Sequence, residues 1–148
     1  MILLWQFPSG MWSASPVDGA VGRDVADVSL AELRHHFTRG HCWHLAIWLS
    51  AQTGLQAWSV MDSHAVVGDG HMFLDIDGWH TGFELLNVWE SSVAFPARWS
   101  DGSPRLFVQS ADDLCDWALG VDALPDEVMS VIAERVLAAY PMPMSVFA

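Results

Sequence analysis

Apolar and polar positions along the chain predict helices first and strands afterwards. The segment that begins at Ser29 carries Glu32 three positions later, which is the capping-box signature of a helix start. A second helix should begin at His41 or Cys42 and end before Gly54, because glycine readily terminates a helix. This second segment is apolar on most sides, which predicts a buried helix.

The remaining pattern predicts short elements joined by loops. Residues 8–24 are rich in Gly, Pro and Ser and predict a loop or an extended arm. Further elements follow: a strand over 55–61, a helix or long turn over 79–90, a loop over 91–104, a strand over 105–109, and helices over 111–119 and 126–140. N-terminal helices, then an antiparallel sheet and C-terminal helices, predict a single α+β domain over residues 1–148.

A β-hairpin is predicted around Asp69-Gly70, because both residues tolerate the positive φ angles of a two-residue turn. This turn pairs His64 with Asp75, and directly opposed side chains share a face with Cβ atoms roughly 5 Å apart. The opposite face is apolar and should meet the core: Ala65, Val67, Met72, Leu74 and Ile76. A three-residue loop would instead turn Asp75 to that other face.

Cys42 stands where the second helix should begin, and backbone N–H groups at a helix start favour a thiolate. A nearby histidine can act as the base for a cysteine nucleophile, and a carboxylate can fix the tautomer of that histidine. Cys42, His64 and Asp75 therefore fill the roles of nucleophile, base and orienting acid. The backbone N–H of Cys42 could also stabilise an oxyanion.

The order of these residues resembles the transglutaminase-like branch of the papain-like cysteine enzymes. TRGHCWHLAIWLSAQTGL resembles the cysteine helix of that superfamily, and its Arg-Gly-x-Cys portion is similar to the arylamine N-acetyltransferase motif. HAVVGDGHMFLDIDG is similar to the histidine strand, tight turn and aspartate strand found in both. The likeness covers residues 38–78.

The resemblance implies a papain-like core with Cys42 as nucleophile, His64 as base and Asp75 as orienting residue. It also implies acyl transfer through a thioester: peptide or isopeptide hydrolysis, deamidation, transamidation or acetyl transfer. The chain is far shorter than the acetyltransferases and lacks the accessory domains of animal transglutaminases, which favours a minimal core of the small bacterial or phage type. The expected substrate is a protein or peptide, and no cofactor is expected.

Trp43, His71 and Trp79 are candidate substrate-binding residues. Trp43 follows the nucleophile, Trp79 follows the hairpin, and His71 shares a hairpin face with Asp75. Core positions are the alternative for the two tryptophans, because buried aromatic residues usually only pack. Cys115 lies among aspartates, which oppose a thiolate, and is predicted to be structural.

Charge narrows the choice of partners. The 148 residues include 18 acidic and six basic side chains, a formal net charge of −12, which disfavours nucleic acid and anionic membrane as partners.

No apolar run reaches the ~20 residues of a membrane span. The two cysteines are too few for a disulfide framework, and MILLWQFPSG lacks the features of a signal peptide. We therefore expect a cytoplasmic protein, or one delivered into a host cytoplasm; the oligomeric state stays open.

Two other classes of protein remain as alternatives. A non-catalytic acidic binding or inhibitor protein would engage a basic partner, for example in bacterial or phage defence. A zinc-bound structural domain would use His41, Cys42 and His44, completed by His64 or Asp75, although the spacings typical of zinc sites are missing.

Overall fold

A computed structural model describes residues 1–38, 41–60, 64–89, 101, 105–118 and 123–143. Within them, five helices and two antiparallel sheets form a mixed α+β fold, which confirms the predicted class. In chain order the elements are β1 (Leu3–Gln6), β2 (Trp12–Ser13), β3 (Arg23–Asp24), α1 (Leu30–Thr38), α2 (Cys42–Thr53), β4 (Gln56–Val60), β5 (His64–Gly68), β6 (Met72–Asp75), β7 (Gly78–Thr81), α3 (Gly82–Trp89), β8 (Leu106–Gln109), α4 (Ala111–Ala118) and α5 (Asp126–Ala139). A helix suited by length and hydropathy to cross a membrane is not found in the described part of the chain.

Local capping determines where the first two helices begin and end. The Ser29 N–H donates to Glu32 Oε2 at 2.8 Å, and the Glu32 N–H donates to Ser29 Oγ at 3.0 Å, so the predicted capping box is present. Helix α2 ends at Gly54, whose φ of 74° is left-handed and therefore suits a glycine. Its first residue is Cys42, as one of the two predicted starts requires.

The larger sheet has the strand order β7-β6-β5-β4-β8, and both of its faces are covered. One face joins the main core with α2 through Ala57, Ala65, Val67, Leu74 and Ile76. The other face carries a second apolar cluster of Val60, Val66, Phe73 and Leu85. The predicted apolar face of the hairpin does meet the core, except that Met72 is only partly buried.

The register of the hairpin differs by two residues from the predicted one. Val67 pairs with Leu74, whereas the two-residue turn would pair Val67 with Met72. The Asp69 carboxylate accepts the N–H groups of His71 and Met72, each at 2.8 Å, and these bonds stabilise a longer loop over residues 69–72. The predicted turn position was right, but the predicted turn length was wrong.

The shift in register keeps His64 and Asp75 on one face. An even shift preserves the alternation of side chains, whereas a shift of one residue would reverse it. His64 and Asp75 therefore become diagonal neighbours on β5 and β6 instead of directly opposed ones, within reach of long side chains.

Two predicted segments have a different structure. Parts of residues 8–24, predicted as a loop or arm, pair with β1 in a three-stranded sheet of order β2-β1-β3, so a sheet precedes the helices. Strands β2 and β3 have two residues each, too few to show the alternation of a strand. Residues 79–90, predicted as helix or long turn, begin inside β7 before α3, because Gly78 at φ 110° lets the chain return along β6. The loop predicted over 91–104 lies outside the described residues, apart from residue 101.

Gly68 is a steric requirement of the hairpin, and its replacement tests the observed loop. A Cβ at Gly68 would lie 2.1 Å from the carbonyl oxygen of Met72. Gly68→Ala should therefore lower the free energy of unfolding by about 1–3 kcal/mol through overpacking. Urea unfolding followed by tryptophan fluorescence measures the change.

The matched control is Gly54→Ala. A Cβ added at this position has no atom within 4 Å, but the alanine must adopt the positive φ of the α2 terminus. We expect it to cost about 1–2 kcal/mol from backbone strain alone. A Gly68→Ala variant as stable as the unsubstituted protein would mean that the loop over 69–72 has another conformation.

Candidate active site

The thiol of Cys42 lies at the first turn of α2, inside the protein. Cys42 is 2% exposed and belongs to the main core cluster. It borders a small cavity together with Phe37 of α1, His64 of β5 and Asp75 of β6. The helix start thus delivers the cysteine to the two hairpin residues that the sequence selected.

His64 lies between the cysteine and the carboxylate. Its Nε2 is 2.9 Å from Asp75 Oδ2, and the Cys42 side chain is its second electrostatic partner. Since Nε2 is occupied by Asp75, Nδ1 is the ring nitrogen that remains for the thiol. His64 is 0% exposed, so both of its interactions are shielded from water. The structure therefore brings the three predicted catalytic residues together.

Asp75 receives three hydrogen bonds. Oδ2 accepts from His64, while Oδ1 accepts from Nε2 of His80 at 2.9 Å and from the backbone N–H of Asp77 at 2.8 Å. Asp75 is itself 4% exposed. A buried carboxylate with several donors is held in its ionised form and in one orientation.

The pKa values of His64 and Asp75 are shifted in opposite directions, and both shifts favour the charged forms. Burial lowers the pKa of His64, but the hydrogen bonds to Asp75 and Cys42 outweigh it and raise the pKa to about 9. Burial raises the pKa of Asp75, yet the hydrogen bonds from His64 and His80 hold that pKa well below its usual range. At neutral pH, His64 is therefore protonated beside an ionised Asp75.

The predicted substrate-binding residues lie in three different environments. Trp43 is buried in the main core, where it packs as the alternative expected. Trp79 is partly buried, and its Nε1 donates to the carbonyl of Tyr140 at 3.1 Å. His71 is exposed on the hairpin loop and borders a groove of about 670 Å³ with Trp58 and Phe83. Their role in substrate binding stays a prediction.

Three histidines surround the start of α2. The His36 and His41 rings stack with centroids 3.9 Å apart, and His41 and His44 are 5.4 Å apart. The backbone N–H of Trp12 donates to His36 Nδ1 at 3.1 Å. Burial, helped by His41 and His44, lowers the pKa of His36 to about 3, and burial also lowers the pKa of His44. His36 and His44 are therefore neutral, packed rings.

The histidines near Cys42 do not form the zinc site of the structural alternative. Among the described residues, no group of three or more His, Cys, Asp or Glu side chains is arranged to hold a metal ion. Cys115, predicted to be structural, is a free and exposed thiol on α4.

His80 is the site residue that the sequence did not indicate. Strand β7 pairs Gly78 with Asp75 and His80 with Phe73, so His80 is diagonal to Asp75 on the same face. Alternation along a third strand could have revealed it. The segment instead looked like a helix or turn, because the apolar residues of α3 follow at once.

No family model, curated protein or solved structure matches this chain.

Proposed function

We propose that this protein is a cysteine-dependent hydrolase or acyltransferase with a transglutaminase-like, papain-like core. The observation that supports it most is the position of His64, which contacts the Cys42 thiol on one side and Asp75 on the other. A nucleophile, a base and a group that orients the base are the parts that thiol catalysis requires. Amide or isopeptide bonds of proteins are the proposed substrates.

The proposed reaction begins with the Cys42–His64 pair as thiolate and imidazolium. The thiolate attacks the carbonyl carbon of an amide, and the C–S bond forms as the carbonyl electrons move to oxygen. His64 then gives its proton to the nitrogen, the C–N bond breaks, and the amine leaves a thioester on Cys42. Water or a second amine then attacks the thioester carbonyl and gives a proton to His64. The C–S bond breaks, the acyl product leaves, and Cys42 and His64 return to thiolate and imidazolium.

Asp75 contributes in this scheme by stabilising the imidazolium form of His64. The buried ion pair is short, and its carboxylate accepts two further hydrogen bonds. Preorganised charge of this kind in a dry site acts more strongly than it does in water. The same ion pair also fixes the orientation of the His64 ring.

The proposed site is closed in this structure. Cys42 and His64 are both almost completely buried, so a carbonyl group reaches the thiol only after the surrounding side chains move. Catalysis through a site that opens is common, since closure excludes water and completes the arrangement of groups. Reactivity of Cys42 toward a small electrophile therefore tests both the activation and the opening.

Alkylation by iodoacetamide, followed residue by residue with peptide mass spectrometry, provides this test. Cys115 serves as the internal reference, because it is free and exposed. An ordinary thiol with a pKa near 8.5 is less than about 1% ionised at pH 6. We expect Cys42 to react at least about tenfold faster than Cys115 at pH 6, and His64→Gln to remove that advantage.

The outcome against the proposal is a Cys42 that reacts more slowly than Cys115 from pH 5 to 9 and does not respond to His64→Gln. Near-ultraviolet circular dichroism of each variant shows whether it has kept its fold. His64→Gln is preferred to His64→Ala because the longer amide fills more of the buried space and can still bond to Asp75.

A non-catalytic acidic binding protein is the second candidate. The net charge of −12 and the burial of the thiol favour it. Binding of a basic partner through surface charge weakens steeply as salt screens the charges, whereas alkylation of Cys42 should change little. Comparing alkylation at 0.05 and 0.5 M salt therefore separates thiol activation from a general effect of the acidic surface.

A further inference from the structure

We infer that His80 is a positioning residue of the proposed site: through Asp75 it keeps His64 directed at Cys42. The inference rests on the proposed function and deepens it. His80 touches neither the thiol nor the substrate in this scheme, and its effect is transmitted by the carboxylate that it shares with His64.

The topology of the sheet produces this sharing. Asp75 lies on β6, between β5 and β7, and receives one histidine from each neighbouring strand. His64 occupies Oδ2 and His80 occupies Oδ1, both at 2.9 Å. The two rings therefore hold the carboxylate from opposite sides, so that it has little freedom to rotate.

The loss of His80 should weaken the hold of Asp75 on His64. Oδ1 would then keep only the Asp77 N–H, and a buried carboxylate oxygen that lacks donors is costly in its ionised form. Rotation of the group toward another donor would relieve that cost. It would also move Oδ2 away from the His64 imidazolium that this oxygen stabilises.

Solvent reaches this arrangement at His80. Its side chain is 16% exposed, compared with 4% for that of Asp75 and 1% for that of His64. Among the described residues, the charged groups that face His80 are Asp75 at the end of β6, Asp77 in the β6–β7 turn and Glu84 of α3; Asp77 is itself paired with Arg34. The hydrogen bond to Asp75 and these acids raise the pKa of His80, so it gains its proton more readily than an ordinary histidine.

Two substitutions separate the hydrogen bond of His80 from its charge. His80→Gln keeps an N–H donor at a similar reach but cannot be charged, whereas His80→Leu fills the space without a donor. The control is His35→Gln, which removes an exposed histidine of α1. The measurements are the NMR titration of the His64 ring and the rate of Cys42 alkylation from pH 5 to 9.

We expect His80→Leu to lower the pKa of His64 by about one unit or more and to slow Cys42 alkylation at pH 6–7 by about tenfold. His80→Gln should restore the His64 titration and bring alkylation to within about threefold of the unsubstituted protein. His35→Gln should change neither measurement.

An unchanged His64 titration and alkylation rate in His80→Leu would overturn the inference. Equal losses in His80→Leu and His80→Gln would also overturn it, because they would indicate a general packing defect. The proposed function can fail separately: an unreactive Cys42 in the unsubstituted protein contradicts catalysis, while the NMR titration of His64 still reports whether His80 acts through Asp75.

Discussion

Asp75→Ala should lower the free energy of unfolding at pH 7 by about 3–5 kcal/mol, the cost of breaking a buried charged pair by removing one partner. The variant leaves His64 and His80 without their shared acceptor, and His64 is 0% exposed. A protonated His64 would then have no counter-ion, and a neutral His64 would have no partner at Nε2. Urea unfolding monitored by tryptophan fluorescence measures the loss.

Asp77→Ala is the matched control for this result. The Asp77 carboxylate pairs with Arg34 at 2.8 Å, but both side chains are substantially exposed, so we expect a loss under about 1 kcal/mol. The backbone N–H that Asp77 gives to Asp75 is unaffected by the substitution. Equal losses in the two variants would mean that the buried cluster adds nothing beyond a surface pair.

The cost of Asp75→Ala should also depend on pH. The pKa of His64 is raised to about 9 in the folded protein, above the value near 6.5 of the unfolded chain, so its stabilisation is complete below pH 6.5 and is lost as the pH rises through 9. Asp75→Ala removes the main cause of that raised pKa. The difference between the two proteins should therefore shrink between pH 6.5 and 9.

Mild acid should destabilise the protein through protonation of His36. This loss of stability should begin at a higher pH than the protonation of most carboxylates. Burial and the neighbouring His41 and His44 lower the pKa of His36 to about 3, so its ring is neutral in the fold. A depressed histidine pKa leaves stability intact above pH 6.5 and reduces it as the pH falls toward 3. At pH 4 the loss from His36 should reach about 3 kcal/mol.

His36→Asn removes this titration while retaining an acceptor near the position of Nδ1 for the Trp12 N–H. The variant should be less stable at pH 7, because it loses the stacking on His41, but its stability should fall less between pH 6.5 and 4. His35→Gln, on the exposed side of α1, removes only the smallest of the causes that lower the pKa of His36, so it should keep most of the dependence on acid. Equal acid dependence in His36→Asn and the unsubstituted protein would contradict the assignment.

The parts of the site that could be predicted depend on strong local rules. The capping box at Ser29 and the glycine that ends α2 are decided by residues within one helical turn. His64 and Asp75 were correctly predicted to be neighbours although the predicted register was wrong. An even shift in register keeps both side chains on one face, and the apolar face of the hairpin excludes an odd shift. The class of fold followed from the same pattern.

The missed features depend on contacts that local rules do not encode. The carboxylate of Asp69 lengthened the turn by accepting two backbone N–H groups, a competition that residue preferences alone do not resolve. His80 lies beside Asp75 only because β7 pairs with β6, and no local pattern in the sequence predicts that pairing. The closure over Cys42 depends on how α1 and α2 pack around the thiol, which no spacing in the sequence reports.

The presence of one histidine on each side of Asp75 gives the chain a signature by which distant relatives can be sought. In one-letter code the pattern is C-x21-H-x10-D-x4-H. With its last histidine the pattern is more selective than the first three positions alone. If the carboxylate needs both neighbours, lineages that lose the final histidine should replace it with another donor of similar reach, such as glutamine.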